Sequence, residues 1–405
     1  MSSMPLRNLK VLDLGTFIAA PFCATILAEF GAEVIKIEVP GKGDSLRTLG
    51  ASRDGAPLFW LQESRNKHTI TCNLRERAGQ EIVRDFVHNG YNVVVENFRP
   101  GTLESWGLGY KDLSAIDPSL IMGRISGYGQ DGPNKDLPGF GRIAQAFGGL
   151  TYLCGFPDRP PANPGSATIA DHLSGLFVAF GVLVADHERR ATGKAPVIDV
   201  ALYESIFRIL DSVVITYSVT GAVRERLGTA TALTAPHNHY PTMDGRWIAI
   251  ACTDDRIFRR LAQLMGQPGL TADSRFANER ARVLNREAID AIVEQWTRTM
   301  DLAPLKAALR GAEIPSSPIY SIADISADPQ YESRGDLAHV THPRLGEIRM
   351  PSVVPRLSAT PGRIARLGRD LGEDTDKLLS KPLVTAASAS KNCEGRAWCD
   401  LVASD

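Results

Sequence analysis

Basic, amide and aromatic side chains cluster in segments that follow predicted strands. The group comprises Lys42, Arg47, residues 64–68 (Ser-Arg-Asn-Lys-His) and residues 96–102 (Glu-Asn-Phe-Arg-Pro-Gly-Thr). In an open parallel sheet, the loops at the carboxyl ends of the strands form the ligand crevice. Cations beside an aromatic ring and an amide suit a phosphorylated ligand that carries a ring. The alternative is that each charge belongs to a solvated rim.

Asp171 stands immediately before a long, uncharged and mostly apolar run. A carboxylate at the head of a buried helix is most simply an N-cap that accepts bonds from free backbone amides. It can also be a nucleophile, because carboxylates form covalent intermediates. Gly175 and the small residues near it leave space for a substrate. His172 points about 100° away from Asp171 on a helix, so we interpret it as a structural residue or a minor contact.

The first predicted strand–helix–strand unit, over residues 10–38, has the order of a dinucleotide-binding fold. Glu38 ends its second strand, where such folds place the acid that binds ribose. The intervening turn has one glycine where the fingerprint needs three, so we interpret Glu38 as an ordinary strand-end charge. The sequence has no GxSxG, P-loop or HExxH motif. His237 and His239 have no third ligand nearby, which favours a hydrogen-bonded turn over a metal site.

Predicted strands and helices alternate along the first part of the chain. Strands are predicted at residues 10–14, 33–38, 70–74, 92–96 and 119–126, and helices at 21–30 and 77–88. This alternation indicates an α/β fold with a parallel sheet covered on both faces. The later segments are predicted as helices at 170–192 and 198–219, a loop at 222–245, a strand at 247–251, Arg-rich helices within 256–310 and a strand at 346–354.

The composition limits the classes of partner. The chain has 405 residues, with 45 Lys and Arg against 46 Asp and Glu. This balance argues against nucleic acid as a partner, and the length favours two domains. Six widely spaced cysteines with no CxxC pair indicate a reducing compartment. The sequence begins without a signal-peptide pattern and its apolar run at 173–185 is short for a bilayer, so we expect a cytoplasmic protein that does not bind membranes.

Ordered motifs occupy the chain from about residue 5 to about residue 380. They are Leu9-Lys-Val-Leu-Asp-Leu14, Ala19-Ala-Pro-Phe22, Gly31-Ala-Glu-Val-Ile-Lys-Ile-Glu38, Pro40-Gly-Lys-Gly-Asp44, Asn66-Lys-His-Thr-Ile70, Val95-Glu-Asn-Phe-Arg-Pro-Gly101, Ser126-Gly-Tyr-Gly-Gln-Asp-Gly-Pro133, Asp171, Glu188-Arg-Arg-Ala-Thr-Gly193, Thr242-Met-Asp-Gly245 and Ile314-Pro-Ser-Ser-Pro318. Together they resemble the class III CoA-transferases, a family that includes formyl-CoA and carnitine CoA-transferases and the related α-methylacyl-CoA racemases.

The resemblance implies a domain organisation. A large Rossmann-like α/β domain is expected from residues 1–224, completed by a return segment at 326–385, with a smaller α+β domain at 225–325. Residues 386–405 are expected to form a loose tail. Two subunits would thread through one another as linked rings. A homodimer is therefore expected, and a pair of unlike subunits is the alternative.

The resemblance also implies a reaction. Asp171 would attack an acyl-CoA thioester to give a mixed aspartyl anhydride, and the released CoA thiolate would then form an aspartyl-CoA thioester. An incoming carboxylate would reverse this sequence. The substrates are an acyl-CoA and a carboxylic acid, and no metal or permanently bound cofactor is expected. We expect a dicarboxylic donor such as succinyl-CoA, because His237, Asn238, His239 and Tyr240 can supply polar groups to a second carboxylate.

Some of the family's CoA contacts carry over to this chain. Ala19, Asn97 and Phe98 coincide with the pantetheine and adenine contacts of the family. The formyl-CoA transferases place arginine where this chain has Val39 and Ser105, and their poly-glycine loop is missing from residues 227–236. The 3′-phosphate must then be bound by other cations. The candidate CoA-binding cations are Lys42, Arg47, Arg65, Lys67 and Arg99.

The racemase branch needs a His-Asp pair after the Tyr-Gly-Gln loop to move the α-proton. This chain has Phe140 and Gly141 at that position, and Phe140 is assigned to the substrate pocket. Because phenylalanine cannot transfer a proton, a transferase is favoured over a racemase. The remaining alternative is an inactive partner subunit, which the presence of Asp171 disfavours.

Overall fold

The computed structural model describes residues 4–166 and 168–380. Packing divides this part of the chain into two units. The larger unit contains the residues up to 150, residues 165–214 and the residues from 335, whereas the smaller unit contains residues 151–164 and 215–334. Residues 151–164, 215–224 and 326–334 thus group with the smaller unit rather than with the large domain assigned from the sequence. The tail expected at 386–405 lies outside the described residues.

The strands and helices are numbered in chain order. The strands are β1 (Lys10–Asp13), β2 (Glu33–Glu38), β3 (Ser52–Arg53), β4 (Ala56–Pro57), β5 (His68–Thr71), β6 (Val93–Glu96), β7 (Ile121–Ser126), β8 (Val197–Ala201), β9 (His237–Pro241), β10 (Trp247–Ala251), β11 (Ser316–Pro318), β12 (Leu337–His342) and β13 (Gly346–Pro351). The helices are α1 (Ala19–Glu29), α2 (Leu58–Glu63), α3 (Arg77–His88), α4 (Thr102–Ser105), α5 (Tyr110–Ser114), α6 (Gly141–Phe147), α7 (Leu150–Leu153), α8 (Ile169–Thr192), α9 (Leu202–Phe207), α10 (Val213–Thr220), α11 (Asp255–Leu264), α12 (Glu279–Leu284), α13 (Arg286–Thr297), α14 (Leu302–Gly311), α15 (Ile322–Ala327), α16 (Pro329–Ser333) and α17 (Thr375–Leu379).

The larger unit is built on a six-stranded parallel sheet with the order β5-β2-β1-β6-β7-β8. The inner strands β1, β6 and β7 are almost wholly buried. Short runs of Val and Ile suit this position, because a strand of a parallel sheet is covered on both faces. The predicted α/β class with a parallel sheet is confirmed.

Residues 198–219 were predicted as one helix, and this prediction is wrong. Val197–Ala201 forms β8, the edge strand beside β7, and α9 and α10 follow it. Three of the five residues of the segment Val-Ile-Asp-Val-Ala are β-branched, which suits a strand. Its apolar residues also continue without a break into those of α9, so the pattern resembled a single helix.

Helices cover both faces of the sheet in the larger unit. One core lies between the sheet and helices α1 and α8, and its fully buried members include Leu27, Val95 and Val178. The second core lies between the sheet and helices α3, α4 and α5, with Val83, Leu103 and Leu113 among its members. The carboxyl ends of the strands are left as the open edge of this sandwich, where ligands bind in such folds.

Helix α8 has the length and the apolar composition of a membrane-spanning helix, and 44% of its apolar window is buried inside the protein. Its buried residues include Gly175, Val178 and Val182, which contribute to the core beside α1. Gly193, with φ of +74°, ends the helix in a left-handed turn. The core helix of a folded protein meets the same length and composition test, and α8 packs as such a helix.

The smaller unit is built on a three-stranded antiparallel sheet with the order β11-β10-β9. Helices α11, α13 and α14 supply apolar side chains to its core, which includes Ile250, Leu261, Val293 and Leu309. Strand β9 lies inside the segment 222–245 that was predicted as a loop. The turn predicted around His237 is therefore wrong, because this edge strand is held by pairing with β10 rather than by its own apolar pattern.

Candidate active site

A cavity of about 300 Å³ lies at the carboxyl ends of β1, β6 and β7. Asp171 forms part of its wall. The predicted residues Ala19, Asn97, Phe98, Arg99 and Phe140 also line it, as do Thr16, Phe17, Pro100, Ile125, Ser126, Gly127, Lys135, Leu137, Pro138, Gly139 and Leu202. The structure therefore brings the candidate nucleophile together with four of the candidate CoA-binding residues. We call this space the acyl cavity.

Helix α8 delivers Asp171 to the acyl cavity. Thr168 is the N-cap residue of α8 and Asp171 lies in its first turn, so the N-cap interpretation of Asp171 is wrong. Four residues further along, Gly175 packs against the start of α1. A Cβ atom at position 175 would lie 2.5 Å from the carbonyl oxygen of Ala19. Only glycine permits this approach, which brings the first turn of α8 beside the first turn of α1.

Opposing influences act on the Asp171 carboxylate. Burial raises its pKa to about 6, although the charge of His172 and a backbone N–H act to lower it. The positive end of the α8 dipole also favours the anion. The carboxylate is thus ionised at neutral pH but more basic than an ordinary aspartate. That combination suits a nucleophile, because basicity and nucleophilicity rise together while the anion stays available.

Residues of the segment 15–19 form another wall of the acyl cavity, and hydrogen bonds to Asn97 and Asp44 hold this segment in place. The Asn97 side chain brackets Thr16: its Oδ1 accepts the Thr16 N–H at 2.7 Å and its Nδ2 donates to the Thr16 carbonyl at 2.8 Å. Oδ1 of Asp44 accepts the N–H of Phe17 at 2.9 Å. Phe17 has φ of +59°, a region that non-glycine residues rarely adopt. These bonds stabilise a strained turn on the cavity that Asp171 lines.

A cluster of buried charged residues packs against this segment. Lys36 is fully buried, with its Nζ 3.6 Å from Oδ1 of Asp13 and 3.0 Å from Oδ2 of Asp44, and it donates to the carbonyl of Gly15. Lys67 is also fully buried and donates to Oδ2 of Asp13 at 2.9 Å. Lys67 does not line the acyl cavity, and we assign it to this internal cluster rather than to CoA.

Two more of the candidate cations are occupied by protein partners. Arg47 binds both carboxylate oxygens of Glu38, at 2.7 and 2.8 Å, and stacks 3.7 Å from the centre of the Trp60 ring. Glu38 is 3% exposed, so it is not the ordinary strand-end charge expected from the sequence. Arg65 donates to Oε1 of Glu29 at 2.6 Å and to a β13 carbonyl at 2.7 Å. Neither arginine has a free guanidinium for a phosphate.

A second cavity, of about 410 Å³, lies at the carboxyl end of β2 and shares Thr16 and Phe98 with the acyl cavity. Lys42 lines it, as predicted. Its other lining residues are Leu14, Ile37, Glu38, Val39, Gly43, Asp44, Cys72, Asn73, Leu74, Arg75 and Trp106. Arg75 and Trp106 were not predicted as site residues, although both follow predicted strands. We call this space the distal cavity.

Four cations on the two cavities are available to a ligand. Lys42 and Arg75 line the distal cavity, and Arg99 and Lys135 line the acyl cavity. All four side chains are exposed, and none forms a hydrogen bond or ion pair with the protein within residues 4–166 and 168–380. Lys135 was not predicted; it lies in the loop after β7, two residues beyond the motif that ends at Pro133.

The remaining predicted residues fall into two places. Phe140, which stands at the racemase histidine position, is 67% exposed at the acyl cavity, with its ring edge-on to Phe17. His237, Asn238 and His239 lie on β9 of the smaller unit, where Asn238 donates to Asp290 at 2.9 Å. Among the described residues, no group of three or more His, Cys, Asp or Glu side chains has the arrangement of a metal site.

Known proteins of similar sequence and structure identify the family of this chain. Residues 6–375 match the model of CoA-transferase family III. The chain is 45% identical over 377 residues to the succinyl-CoA–D-citramalate CoA-transferase of Chloroflexus aurantiacus, covering 93% of each chain. It is 44% identical over 385 residues to the beta subunit of the succinyl-CoA–L-malate CoA-transferase of the same organism, covering 94% of this chain and 95% of the relative.

A crystal structure agrees with the sequence matches. The CAIB/BAIF family protein from Brucella suis superposes with a TM-score of 0.82 at 34% identity, covering 95% of this chain and all of that one. The expected resemblance is thereby confirmed over both units of the fold. The chain belongs to CoA-transferase family III, and it is a class III CoA-transferase.

Proposed function

We propose that this enzyme transfers CoA from a dicarboxylic acyl-CoA, such as succinyl-CoA, to a free carboxylic acid, with Asp171 as the covalent nucleophile. The observation that carries the proposal is the position of Asp171, a partly desolvated carboxylate on a cavity that shares Thr16 and Phe98 with a second cavity lined by free cations. Relatives named for succinyl-CoA support the choice of donor. The acceptor is an organic acid that reacts through its carboxylate.

The proposed reaction proceeds in four acyl transfers. A carboxylate oxygen of Asp171 bonds to the thioester carbonyl carbon, and the C–S bond breaks to release the CoA thiolate. The thiolate then attacks the Asp171 side of the resulting anhydride, which releases the donor acid and leaves an aspartyl-CoA thioester. The acceptor carboxylate attacks that thioester, and the freed thiolate attacks the acceptor side of the new anhydride. Product acyl-CoA leaves and the Asp171 carboxylate is restored.

Each of these steps passes through a tetrahedral oxyanion. Ala19 lines the acyl cavity and is the first residue of α1, beside Asp171. The N–H groups of Ala19 and Ala20 lie in the first turn of α1, where no intrahelical acceptor exists. We assign them as oxyanion donors, because backbone amides directed at developing charge stabilise such intermediates.

The two cavities divide CoA between them. The nucleotide end of CoA would occupy the distal cavity, where Lys42 and Arg75 face the phosphates and Trp106 offers an aromatic ring. The pantetheine arm would pass Thr16 and Phe98, which border both cavities, and place the thioester beside Asp171. Lys42 and Arg99 remain from the predicted CoA-binding cations, and we propose that Arg75 takes the place of the arginine missing at Val39.

We also propose that the active enzyme is a homodimer. In the larger unit, α6 and α8 expose apolar side chains on their outer surfaces. They are Ile143, Phe147, Leu176, Phe180, Leu183 and Val184, of which Phe180 is 64% exposed. A monomer rarely exposes such a group to water, so a second copy of the chain is the proposed cover. The alternative is an unlike subunit, since one relative is named as a beta subunit.

The function is tested by measuring exchange directly. Purified wild-type protein is incubated with succinyl-CoA and a panel of organic acids, and new acyl-CoA products are identified by mass. The Asp171→Asn variant should lose exchange by more than about a thousandfold, the scale of losing a covalent nucleophile. The matched control is Asp376→Asn, which changes an exposed acid in the first turn of α17 and should leave exchange unaltered. Equal activity of both variants would overturn the assignment.

A further inference from the structure

Glu63 is a buried carboxylate that faces His172, the residue after Asp171. Glu63 is the last residue of α2 and is 4% exposed. Its Oε1 accepts a hydrogen bond from Nε2 of Gln62 at 2.8 Å. Its Oε2 is buried and accepts no hydrogen bond from the described residues. A buried carboxylate oxygen in this state needs a cation close by.

The cation that faces Glu63 is His172. Nε2 of His172 lies 3.6 Å from Oε2 of Glu63, an ion-pair distance. Nδ1 lies 2.8 Å from the carbonyl oxygen of Thr168, one turn back along α8. The ring is fixed edge-on against Phe22, with 4.6 Å between ring centres. Both ring nitrogens therefore face oxygens that can only accept. A neutral imidazole has one N–H, and only the imidazolium supplies both donors.

We propose that His172, held as an imidazolium by Glu63, is a positioning residue that keeps Asp171 ionised in the desolvated acyl cavity. The proposal rests on Asp171 being the nucleophile. The positive charge sits on the residue next to Asp171 in the first turn of α8 and is held in place by Glu63, which does not line the acyl cavity. His172 was interpreted as structural or a minor contact, and the geometry assigns it this electrostatic role.

The directions of the pKa shifts agree with this arrangement. Burial alone would lower the pKa of His172, but the Glu63 carboxylate raises it overall. Burial alone would raise the pKa of Glu63, but the His172 and Gln62 side chains lower it overall. The charge of His172 also acts to lower the pKa of Asp171.

Other charged groups pack around the pair. Lys67, which precedes β5, lowers the pKa of Glu63, and Glu29 of α1 interacts with Glu63 through space. Both have their own partners, because Lys67 pairs with Asp13 and Glu29 pairs with Arg65. Asp171 and Glu63 are the titratable groups that act on His172 itself. Removing either member of the Glu63–His172 pair should therefore change the charge next to Asp171.

The test is the pH dependence of kcat/KM for the acyl-CoA donor, measured for wild type, His172→Gln and Glu63→Gln. In both variants the midpoint of the acidic limb should move upward by roughly one pH unit, the effect of one neighbouring charge. In each variant, activity near pH 6 should then be about tenfold lower than the activity of the same variant above pH 8. The matched control is His187→Gln, an exposed histidine on the same helix, which should leave the midpoint in place.

The outcomes separate this proposal from the proposed function. A merely structural role of the pair would lower the yield of folded enzyme or reduce kcat equally at every pH, with the midpoint unmoved, and that result would overturn the inference. Hydroxylamine trapping of an acyl-Asp171 intermediate is followed in the same samples. Trapping with an unmoved midpoint rejects the role of His172 alone, whereas a failure to trap in wild type rejects Asp171 as nucleophile.

Discussion

Asp171 is balanced between protonation and ionisation by its immediate surroundings. Burial raises its pKa to about 6, whereas the charge of His172 acts in the opposite direction. A fully solvated aspartate would be a weaker nucleophile, and a fully desolvated one would be protonated at neutral pH. The residues packed around Asp171 thus govern its proposed role as a nucleophile.

The titration of Asp171 predicts the pH dependence of both activity and stability. Below about pH 6 the carboxyl is protonated and cannot attack, so kcat/KM should fall about tenfold per pH unit. The pKa of Asp171 is higher in the folded protein than its ordinary value. Ionisation of Asp171 therefore lowers the free energy of unfolding, and this loss is complete above about pH 6. Asp171→Asn should therefore raise the free energy of unfolding at pH 8 by roughly 1–3 kcal/mol.

Urea unfolding at pH 8 and at pH 4.5 checks the stability prediction, since the gain should be largely lost at the lower pH, where the wild-type carboxyl is protonated in the folded state. A variant that is equally destabilised at both values would show that Asp171 contributes to stability through hydrogen bonds instead.

Lys135 predicts selectivity for a charged acyl group. It is the free lysine on the acyl cavity among the described residues, and a succinyl group carries a second carboxylate into that cavity. Lys135→Gln should lower kcat/KM for succinyl-CoA about tenfold, the effect of losing one charge-assisted hydrogen bond, and should leave butyryl-CoA unaltered. Lys42→Gln is the matched control, because a phosphate contact weakens both donors alike. Equal losses for both donors in Lys135→Gln would place Lys135 on CoA itself.

The candidate site was predictable at Asp171, Ala19, Asn97 and Phe98 because these positions lie in family motifs. The cations that would bind the phosphates were not predictable, because a sequence shows which basic residues follow a strand but not which of them form ion pairs within the protein. Arg47 and Arg65 are occupied by buried glutamates, whereas Arg75 is free. Their partners, Glu38 and Glu29, lie 9 and 36 residues away in the sequence, so the local sequence pattern does not show these ion pairs.

At the scale of elements, the contact between α1 and α8 builds the reactive corner. Gly175 allows the start of α8 to approach the start of α1, and both first turns then face the acyl cavity. Helix α8 carries the proposed nucleophile, and α1 carries the proposed oxyanion donors. The distance between these two helices therefore sets the reaction geometry.

Gly175→Val should disrupt this corner. The new side chain would meet the Ala19 carbonyl, which a Cβ atom alone would approach to 2.5 Å, and the helices must separate. We expect a loss of roughly 1–3 kcal/mol in unfolding free energy, typical of overpacking, and a loss of exchange larger than any loss of folded protein. Thermal unfolding and exchange assays measure both.

The matched control for that experiment is Gly311→Ala in α14, where an added Cβ atom meets nothing within 4 Å. It should keep both stability and exchange. Exchange that survives in folded Gly175→Val protein would show that the spacing of α1 and α8 does not control the reaction.

Elements with strong local signals were predicted well. The helix predicted at 170–192 is α8, since it has a long apolar run and a terminal glycine. Strands β8 and β9 were missed because each owes its conformation to a neighbour, β7 for the first and β10 for the second. Strand pairing of this kind is non-local and leaves little trace in the segment's own pattern.

At the scale of the whole molecule, the return of the chain completes the larger unit. Residues after 335 pack with the amino-terminal half, as in the bond from Trp60 Nε1 to the carbonyl of Arg369 at 2.8 Å. Asn66 binds the same segment, through its Nδ2 and the carbonyl of Arg363 at 2.7 Å. The discontinuity was predictable only from the family motifs, since composition and length indicate two domains but not their order.

The apolar outer faces of α6 and α8 predict a dimer. Light scattering during size exclusion should give twice the chain mass of 43.9 kDa. Phe180→Glu should shift the protein toward the monomer, because a charge would be buried at the proposed interface. Glu188→Gln, on the polar end of α8, is the control and should stay dimeric. A monomeric wild-type protein with full exchange activity would contradict the homodimer.

The proposed mechanism requires a covalent aspartyl-CoA thioester on Asp171. Wild-type enzyme is mixed with succinyl-CoA without an acceptor, quenched in acid, and its intact mass and peptides are measured. We predict added mass of one CoA moiety on the peptide that contains Asp171, lost on addition of a carboxylic acid acceptor and absent from Asp171→Asn. Unmodified wild-type protein that still exchanges CoA, or an adduct on another residue, would contradict the account.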